Sequence, residues 1–314
     1  MRDRTGMMPL VVRDVVRETP SIVTIRLEHP DGRVLPSWEP GAHIDVQLVT
    51  RHERQYSLCG DPADVRAYRI AVLREELSRG SSAYVHRFLR VGSTVHVRPP
   101  RNLFPLGPAD RYLLLAAGIG ITPILAMARH LAVAAADWRM ISLARRRDDV
   151  AFAAELAGFG ERVSVHLSGE QGRLDLGAVL AGLPTGTDVY ACGPGGFTDE
   201  LTERSAALPP GVRLHLERFE PRRQAHGPDE AFTVACARSQ LRVEVPADRP
   251  MLGTLQGAGL DLPGSCLRGV CGSCAVTVLD GVPDHRDSLT ADPSSTTIYP
   301  CVSRSLTPEI VLDL

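Results

Sequence analysis

Gly264-Ser265-Cys266-Leu267-Arg268-Gly269-Val270-Cys271-Gly272-Ser273-Cys274 sets three cysteines at C-x4-C-x2-C spacing, and a fourth, Cys301, follows twenty-seven residues after Cys274. Three thiolates on one loop plus a distant fourth is the plant-type pattern that ligates a [2Fe–2S] cluster. A loop can wrap two bridged irons only if its backbone turns tightly between ligands. Gly264, Gly269 and Gly272 are expected to supply that freedom, since glycine reaches positive φ at little cost. Ser265 and Ser273 are placed to hydrogen-bond the sulfurs and tune the cluster. The competing reading is a tetrahedral zinc site, but zinc sites pair two short C-x2-C elbows, which this spacing lacks.

Working outward, the 314 residues suggest two or three domains, and 44% hydrophobic with 23% charged residues is ordinary soluble composition. A formal net charge of −2 argues against nucleic acid as a general partner, and all 35 basic residues are arginine, which reads as genomic bias. Seven cysteines, four of them in the motif, are too few and too clustered for a secreted disulfide scaffold. Met1-Arg-Asp-Arg-Thr5 lacks the apolar core of a signal peptide, and the apolar run from Leu113 to Ala128 is broken by Gly118, Gly120 and Pro123. The expectation is a cytoplasmic protein with no membrane span, acting as a monomer.

From Leu10 to Pro105 the chain alternates with period two: Val23, Ile25, Leu27; Ile44, Val46, Leu48; Tyr68, Ile70, Val72; Val95, Val97. Such runs, divided by Pro/Gly/Asp turns, predict an antiparallel β-barrel with one helix from Ser82 to Leu89. Two segments carry chemistry. Arg54-Gln55-Tyr56-Ser57 follows a strand and offers a cation, a ring and a hydroxyl. Ser78-Arg-Gly80-Ser81-Ser82 opens the helix, where free amides and hydroxyls suit a phosphate. Each alone is equally an ordinary turn or cap.

From Asp110 to Phe219 strands and helices alternate, which predicts a doubly wound α/β layout. Arg111 to Ala116 is a buried strand, and Gly118-Ile-Gly120-Ile-Thr122-Pro123 turns it into a helix from Ile124 to Val133. The third glycine of a Rossmann fingerprint is missing, and no acidic residue closes the second strand. Arg145-Arg146-Arg147 stands there instead, facing a phosphate or simply coating the surface. Cys192-Gly193-Pro194 ends a later strand, at the carboxyl edge where open α/β sheets bind ligands; a small buried core cysteine is the plainer reading. Glu220 to Asp229 is polar and aperiodic and reads as a linker. Strands over 232–236, 241–245, 275–279 and 310–314 then surround a helix from Pro250 to Gly257 and the cysteine loop, with Cys236 on the core face.

Taken together, these segments resemble the phthalate dioxygenase reductase family over nearly the full length. The resemblance implies a flavin barrel over 1–107, an α/β NAD(P)-binding domain over 108–220, a linker over 221–229 and a β-grasp-like α+β ferredoxin domain over 230–314. It implies FMN held by Arg54, Gln55, Tyr56 and Ser57, by Val72 and Leu73, and by Gly80, Ser81 and Ser82. It implies NAD(P)H held by Gly118, Gly120, Thr122 and Pro123, by Arg145, Arg146 and Arg147, and by Cys192, Gly193 and Pro194. Ser57, Cys192 and Phe219, the last in Glu217-Arg-Phe219, are the expected catalytic positioners. Cys266, Cys271, Cys274 and Cys301 are the metal ligands. Members of the family commonly carry a small residue where Arg146 stands and prefer NADH. An extra guanidinium opens NADPH, because arginine pairs with phosphate bidentately. The implied partner is a terminal oxygenase, either a Rieske iron protein or a cytochrome P450. Alternatives are a self-sufficient NAD(P)H oxidase or quinone reductase, and a zinc-stabilised binding module. Nine carboxylates against six arginines between Ala231 and Leu314 give the ferredoxin segment an acidic face that suits a basic acceptor.

Overall fold

The computed structural model describes residues 6–48, 53–75, 80–222, 226–290 and 292–314. The chain divides into two compact units, Met1–Arg218 and Phe219–Leu314. Among the described residues no helix is long and apolar enough to cross a membrane.

The first unit opens with β1 (Met8–Arg17), β2 (Ile22–Glu28), β3 (Ala42–Gln47), β4 (Glu53–Ser57), β5 (Ala67–Leu73), α1 (Ser81–Phe88), β6 (Thr94–Val97) and β7 (Arg101–Asn102). These strands form one antiparallel sheet in the order β4-β3-β6-β1-β2-β5, with β7 on β3. A bridge from Leu58 to Ile70 brings the end of β4 onto β5 and closes the barrel. The period-two reading explains its interior: Val23 faces Val72, Ile25 faces Ile70 and Leu27 faces Tyr68 across β2 and β5, all within one buried cluster.

The same unit continues as β8 (Arg111–Ala117), α2 (Ile121–Val133), β9 (Trp138–Ala144), α3 (Ala153–Gly158), β10 (Val163–Leu167), α4 (Ser168–Gln171), α5 (Leu176–Ala181), β11 (Thr187–Gly193), α6 (Gly195–Arg204) and β12 (Arg213–Arg218). Its parallel sheet runs β10-β9-β8-β11-β12, so the order reverses between β8 and β11. That reversal opens the crevice in which doubly wound sheets bind nucleotides. The helix read from Ile124 begins at Ile121, because a first-turn proline such as Pro123 needs no amide partner.

The second unit holds β13 (Phe232–Cys236), β14 (Arg242–Val245), α7 (Met251–Gly257), β15 (Val276–Asp280), β16 (Pro283–Asp284), β17 (Thr297–Ile298), β18 (Arg304–Ser305) and β19 (Glu309–Leu312). Its main sheet runs β14-β13-β19-β15-β17, with β13 parallel to β19 and the other pairs antiparallel. Phe232, Val234 and Cys236 alternate into the core with Met251, Leu255 and Ile310.

Candidate functional site

Arg54 to Ser57 do not follow a strand, as the sequence suggests; they are the strand β4, at one end of the sheet order. The turn residues between β3 and β4 lie at 49–52, outside the described residues, so the reading rests on the pairing itself. Ile44 opposes Tyr56 and Asp45 opposes Gln55. Tyr56 packs on the barrel core, and burial pushes its hydroxyl pKa up. Gln55 turns to the other face, where its Nε2 donates to Asp45 Oδ1 at 2.5 Å. Arg101 donates to the second oxygen of Asp45 at 2.6 Å.

Gly80 precedes α1 at φ +100, a conformation open to glycine and strained for other residues. Of the two serines behind it, Ser82 accepts from the Glu75 amide at 3.2 Å. Among the described residues the buried Ser81 hydroxyl has no hydrogen-bond partner. A buried hydroxyl without a partner, at a helix N-terminus with free amides, fits a phosphate group. Ser78 and Arg79 lie outside the described residues. Val72 is a barrel-core residue, and its carbonyl accepts from His86 Nε2 at 3.0 Å; Leu73, next to it, is half-buried.

In the crevice of the parallel sheet, Gly118 takes φ +54, and Thr122 Oγ1 bonds the Ile119 carbonyl at 3.0 Å. Gly120 lies so close to β11 that a Cβ there would sit 2.2 Å from the Cys192 carbonyl oxygen. A Cβ on Gly193 would meet Ala117 at 2.7 Å, and Pro194 caps α6. Two backbones pressed this tightly leave room for a dinucleotide above them, so these residues fit a nicotinamide cofactor. Of the three arginines, Arg145 gives its carbonyl to Gly169, and Arg146 is exposed and paired to Asp149 at 3.1 Å. Arg147 opens a short 3-10 turn.

Topology adds a residue that spacing did not single out. The pairing of β11 with β12 sets Cys192 opposite Glu217. The Cys192 side chain is wholly buried, and its Sγ lies 4.0 Å from Glu217 Oε2. Enclosure pushes the Glu217 carboxyl up to about 8, opposed by a hydrogen bond from the Ser57 hydroxyl. Burial, then the Glu217 charge, pushes the Cys192 thiol up. Arg218 anchors the segment: it reaches Asp199 at 2.6 Å, the Thr198 carbonyl at 2.8 Å and Thr202 Oγ1 at 2.7 Å on α6. Phe219 follows directly and is half-buried.

The second unit carries the cysteine loop. Cys271, Cys274 and Cys301 are buried and Cys266 is partly exposed. The Arg268 amide donates to Cys266 Sγ at 3.3 Å, and Ser273 Oγ lies 3.2 Å from Cys271 Sγ. Hydrogen bonding within the thiol group draws the Cys266 and Cys274 thiols down and pushes those of Cys271 and Cys301 up. Three soft donors on one loop and a fourth from Cys301 suit an iron–sulfur ligand set in kind and number. Gly269 and Gly272 do take positive φ, at 68° and 67°. Gly264 does not: a Cβ there would lie 2.5 Å from Leu252 Cδ2, so Leu252 would have to shift. Leu267 takes the left-handed position instead, at φ 56.

Residues 234–305 match the model of the 2Fe-2S iron-sulfur cluster binding domain. The chain is 42% identical, over 89% of its length and 90% of the relative's, to the heme-dependent oxidative N-demethylase beta subunit of Ectopseudomonas mendocina. It superposes on phthalate dioxygenase reductase, a modular structure for electron transfer from pyridine nucleotides to [2Fe-2S], with TM-score 0.74, 34% identity and 100% of both chains covered. It superposes on an intact type IV self-sufficient cytochrome P450 monooxygenase with TM-score 0.91 and 38% identity, covering 98% of this chain and 41% of that one. Fold and site thus define an oxidoreductase that takes electrons from a nicotinamide through a flavin to a [2Fe–2S] centre. The chain belongs to the phthalate dioxygenase reductase family, the electron-transfer reductases of oxygenase systems.

Proposed function

We propose that residues 1–107 bind FMN, 108–220 bind NAD(P)H and 230–314 carry the cluster, with 221–229 as the linker, and that the electrons leave for a separate terminal oxygenase. The observation that carries this is the meeting of Ser57 from the barrel with Glu217 and Cys192 from the α/β layer, at the carboxyl edge of β11 and β12. When bound, the flavin takes the two electrons of a hydride and gives them up singly to the [2Fe–2S] centre, chemistry that belongs to the cofactors.

The protein's part is position. Ser81, Ser82 and Gly80 hold the flavin phosphate with Arg54, and Tyr56 lies along the ring with Gln55, Val72 and Leu73 behind it. Gly118, Gly120, Thr122, Pro123, Gly193 and Pro194 seat the dinucleotide. Ser57 and Cys192 line the path of the hydride, and Glu217 holds its proton at that edge. Phe219 is the aromatic positioner for the hydride step. NADH is the default donor, and Arg145 to Arg147 extend the site to NADPH. The acceptor is a Rieske iron or haem oxygenase component, and the reductase works as a cytoplasmic monomer.

The decisive experiment is anaerobic reduction of the full chain, loaded with FMN, iron and sulfide, by NADH. Flavin bleaching followed by the electron paramagnetic resonance signal of a reduced [2Fe–2S] centre is expected. Bleaching without that signal would reject the assignment.

A further inference from the structure

Asp287 is the one buried carboxylate among the described residues of the second unit, and nothing in the route above uses it. Its Oδ1 accepts from the amides of Leu289 at 2.8 Å and Thr290 at 2.6 Å. Its Oδ2 accepts from the hydroxyls of Thr290 at 3.1 Å and Ser303 at 3.4 Å, with His285 Nδ1 at 3.8 Å. Four donors converging on two oxygens suit the anion.

The place of this carboxylate matters more than its partners. A Cβ on Gly269, two residues before Cys271, would lie 2.9 Å from Asp287 Cα and 3.1 Å from its Cβ. The Ser288 amide donates to the Gly269 carbonyl at 2.8 Å. The segment bearing Asp287 is therefore packed directly behind the cysteine loop. Burial, then the charges of Asp287, Cys274 and Cys271, pushes the Tyr299 hydroxyl pKa up.

We infer that Asp287 is a positioning residue for electron flow: its fixed negative charge behind the cysteine loop lowers the reduction potential of the [2Fe–2S] centre. An anion held in a weakly screening interior opposes the arrival of an electron, and charge near the cluster is one of the levers that set its potential. The electron is thereby pushed onward to the acceptor. This rests on the reading of the four thiols as cluster ligands.

The test is a redox titration of the full chain, loaded with iron and sulfide and followed by paramagnetic resonance. Asp287→Asn keeps an oxygen for the two amides but removes the charge. At a fixed solution potential its ratio of reduced to oxidised cluster is expected to rise about tenfold, about 59 mV for a one-electron couple. Cluster content and g values stay those of the parent chain. Thr290→Val strips one donor from Oδ2 and leaves the charge less compensated, so its ratio falls severalfold. A fully loaded Asp287→Asn protein with an unmoved or lowered potential overturns the inference. Should that variant fail to load, an unmoved potential in Thr290→Val does so. A parent chain without a [2Fe–2S] spectrum removes the ligand reading itself, a different outcome from an unmoved potential.

Discussion

Cys192 Sγ and Glu217 Oε2 lie 4.0 Å apart because β11 and β12 run in parallel register, with Cys192 the partner of Glu217. Ser57, at the end of β4, reaches the same carboxyl with its hydroxyl. A thiol, a carboxyl and a hydroxyl from three strands thus share one edge, where desolvation raises the carboxyl pKa.

Hydride transfer is expected to slow as pH rises through about 8, where Glu217 ionises. An anion at that edge disfavours the negative charge that the hydride brings. Stopped-flow reduction by NADH should show this inflection in the parent chain and a flat profile in Glu217→Gln. Stability follows the same group. Its folded pKa is raised above the ordinary 4.5, so the folded chain binds the proton more tightly between about 4.5 and 8. Stability from this group is then full below about pH 4.5, declines through that window, and is lost above about 8. In urea, Glu217→Gln should exceed the parent by on the order of 2 kcal/mol at pH 9, after discounting for partial solvent access, and by little at pH 5.

The Ser81 hydroxyl, without a partner among the described residues, separates binding from folding. Removing an unsatisfied buried hydroxyl costs little and can stabilise, whereas removing a phosphate ligand costs about 1–2 kcal/mol. Ser81→Ala should therefore match or exceed the parent in thermal stability without cofactor, yet bind FMN about tenfold more weakly by fluorescence titration. Ser82→Ala behaves differently, since it deprives the Glu75 amide of its acceptor and so lowers stability as well.

Arg146 meets Asp149 with two nitrogens, at 3.1 and 3.2 Å, and a 2′-phosphate would compete with that carboxylate. Arg146→Ser should lower kcat/KM for NADPH about tenfold, the scale of a charge-assisted hydrogen bond, and leave NADH within twofold. Asp149→Asn frees the guanidinium and should raise NADPH efficiency severalfold. Equal effects on both nucleotides would place Arg146 outside the 2′-phosphate site.

What was legible in the chain was local. Ligand spacing, the Gly118-to-Pro123 turn and the alternation of Val23, Ile25 and Leu27 each depend on residues a few places apart, so they survive without coordinates. Glu217 and Asp287 carry no such signal, because their surroundings arise only when segments far apart in sequence pair or pack. The strand Met8–Arg17 was passed over for a different reason. Its register shifts between Val12 and Asp14, so the alternation changes phase midway and Val11-Val12 and Val15-Val16 read as apolar doublets. At Gly264 the constraint is packing against Leu252, and backbone angle does not decide it.

The polar segment over 221–229 makes contacts of its own within the second unit. The Arg222 amide donates to Ser288 Oγ at 2.7 Å, and Asp229 pairs with Arg286 at 2.5 Å, so both ends of the polar segment are fastened to the ferredoxin unit. Slack inserted between these anchors is held as a surface loop, and loop length alone costs little. Slack inserted before Arg222, between Phe219 and Pro221, lengthens the tether itself. Four added Gly/Ser residues after Gly227 should leave the rate of cluster reduction within twofold. The same insert after Glu220 should slow it at least tenfold, with the rate of flavin bleaching by NADH unchanged in both. Rapid-freeze paramagnetic resonance measures the first rate and stopped-flow absorbance the second. Equal slowing by the two inserts would mean that the Arg222 and Asp229 anchors open in solution, and Ser288→Ala should then reproduce the effect without any insertion.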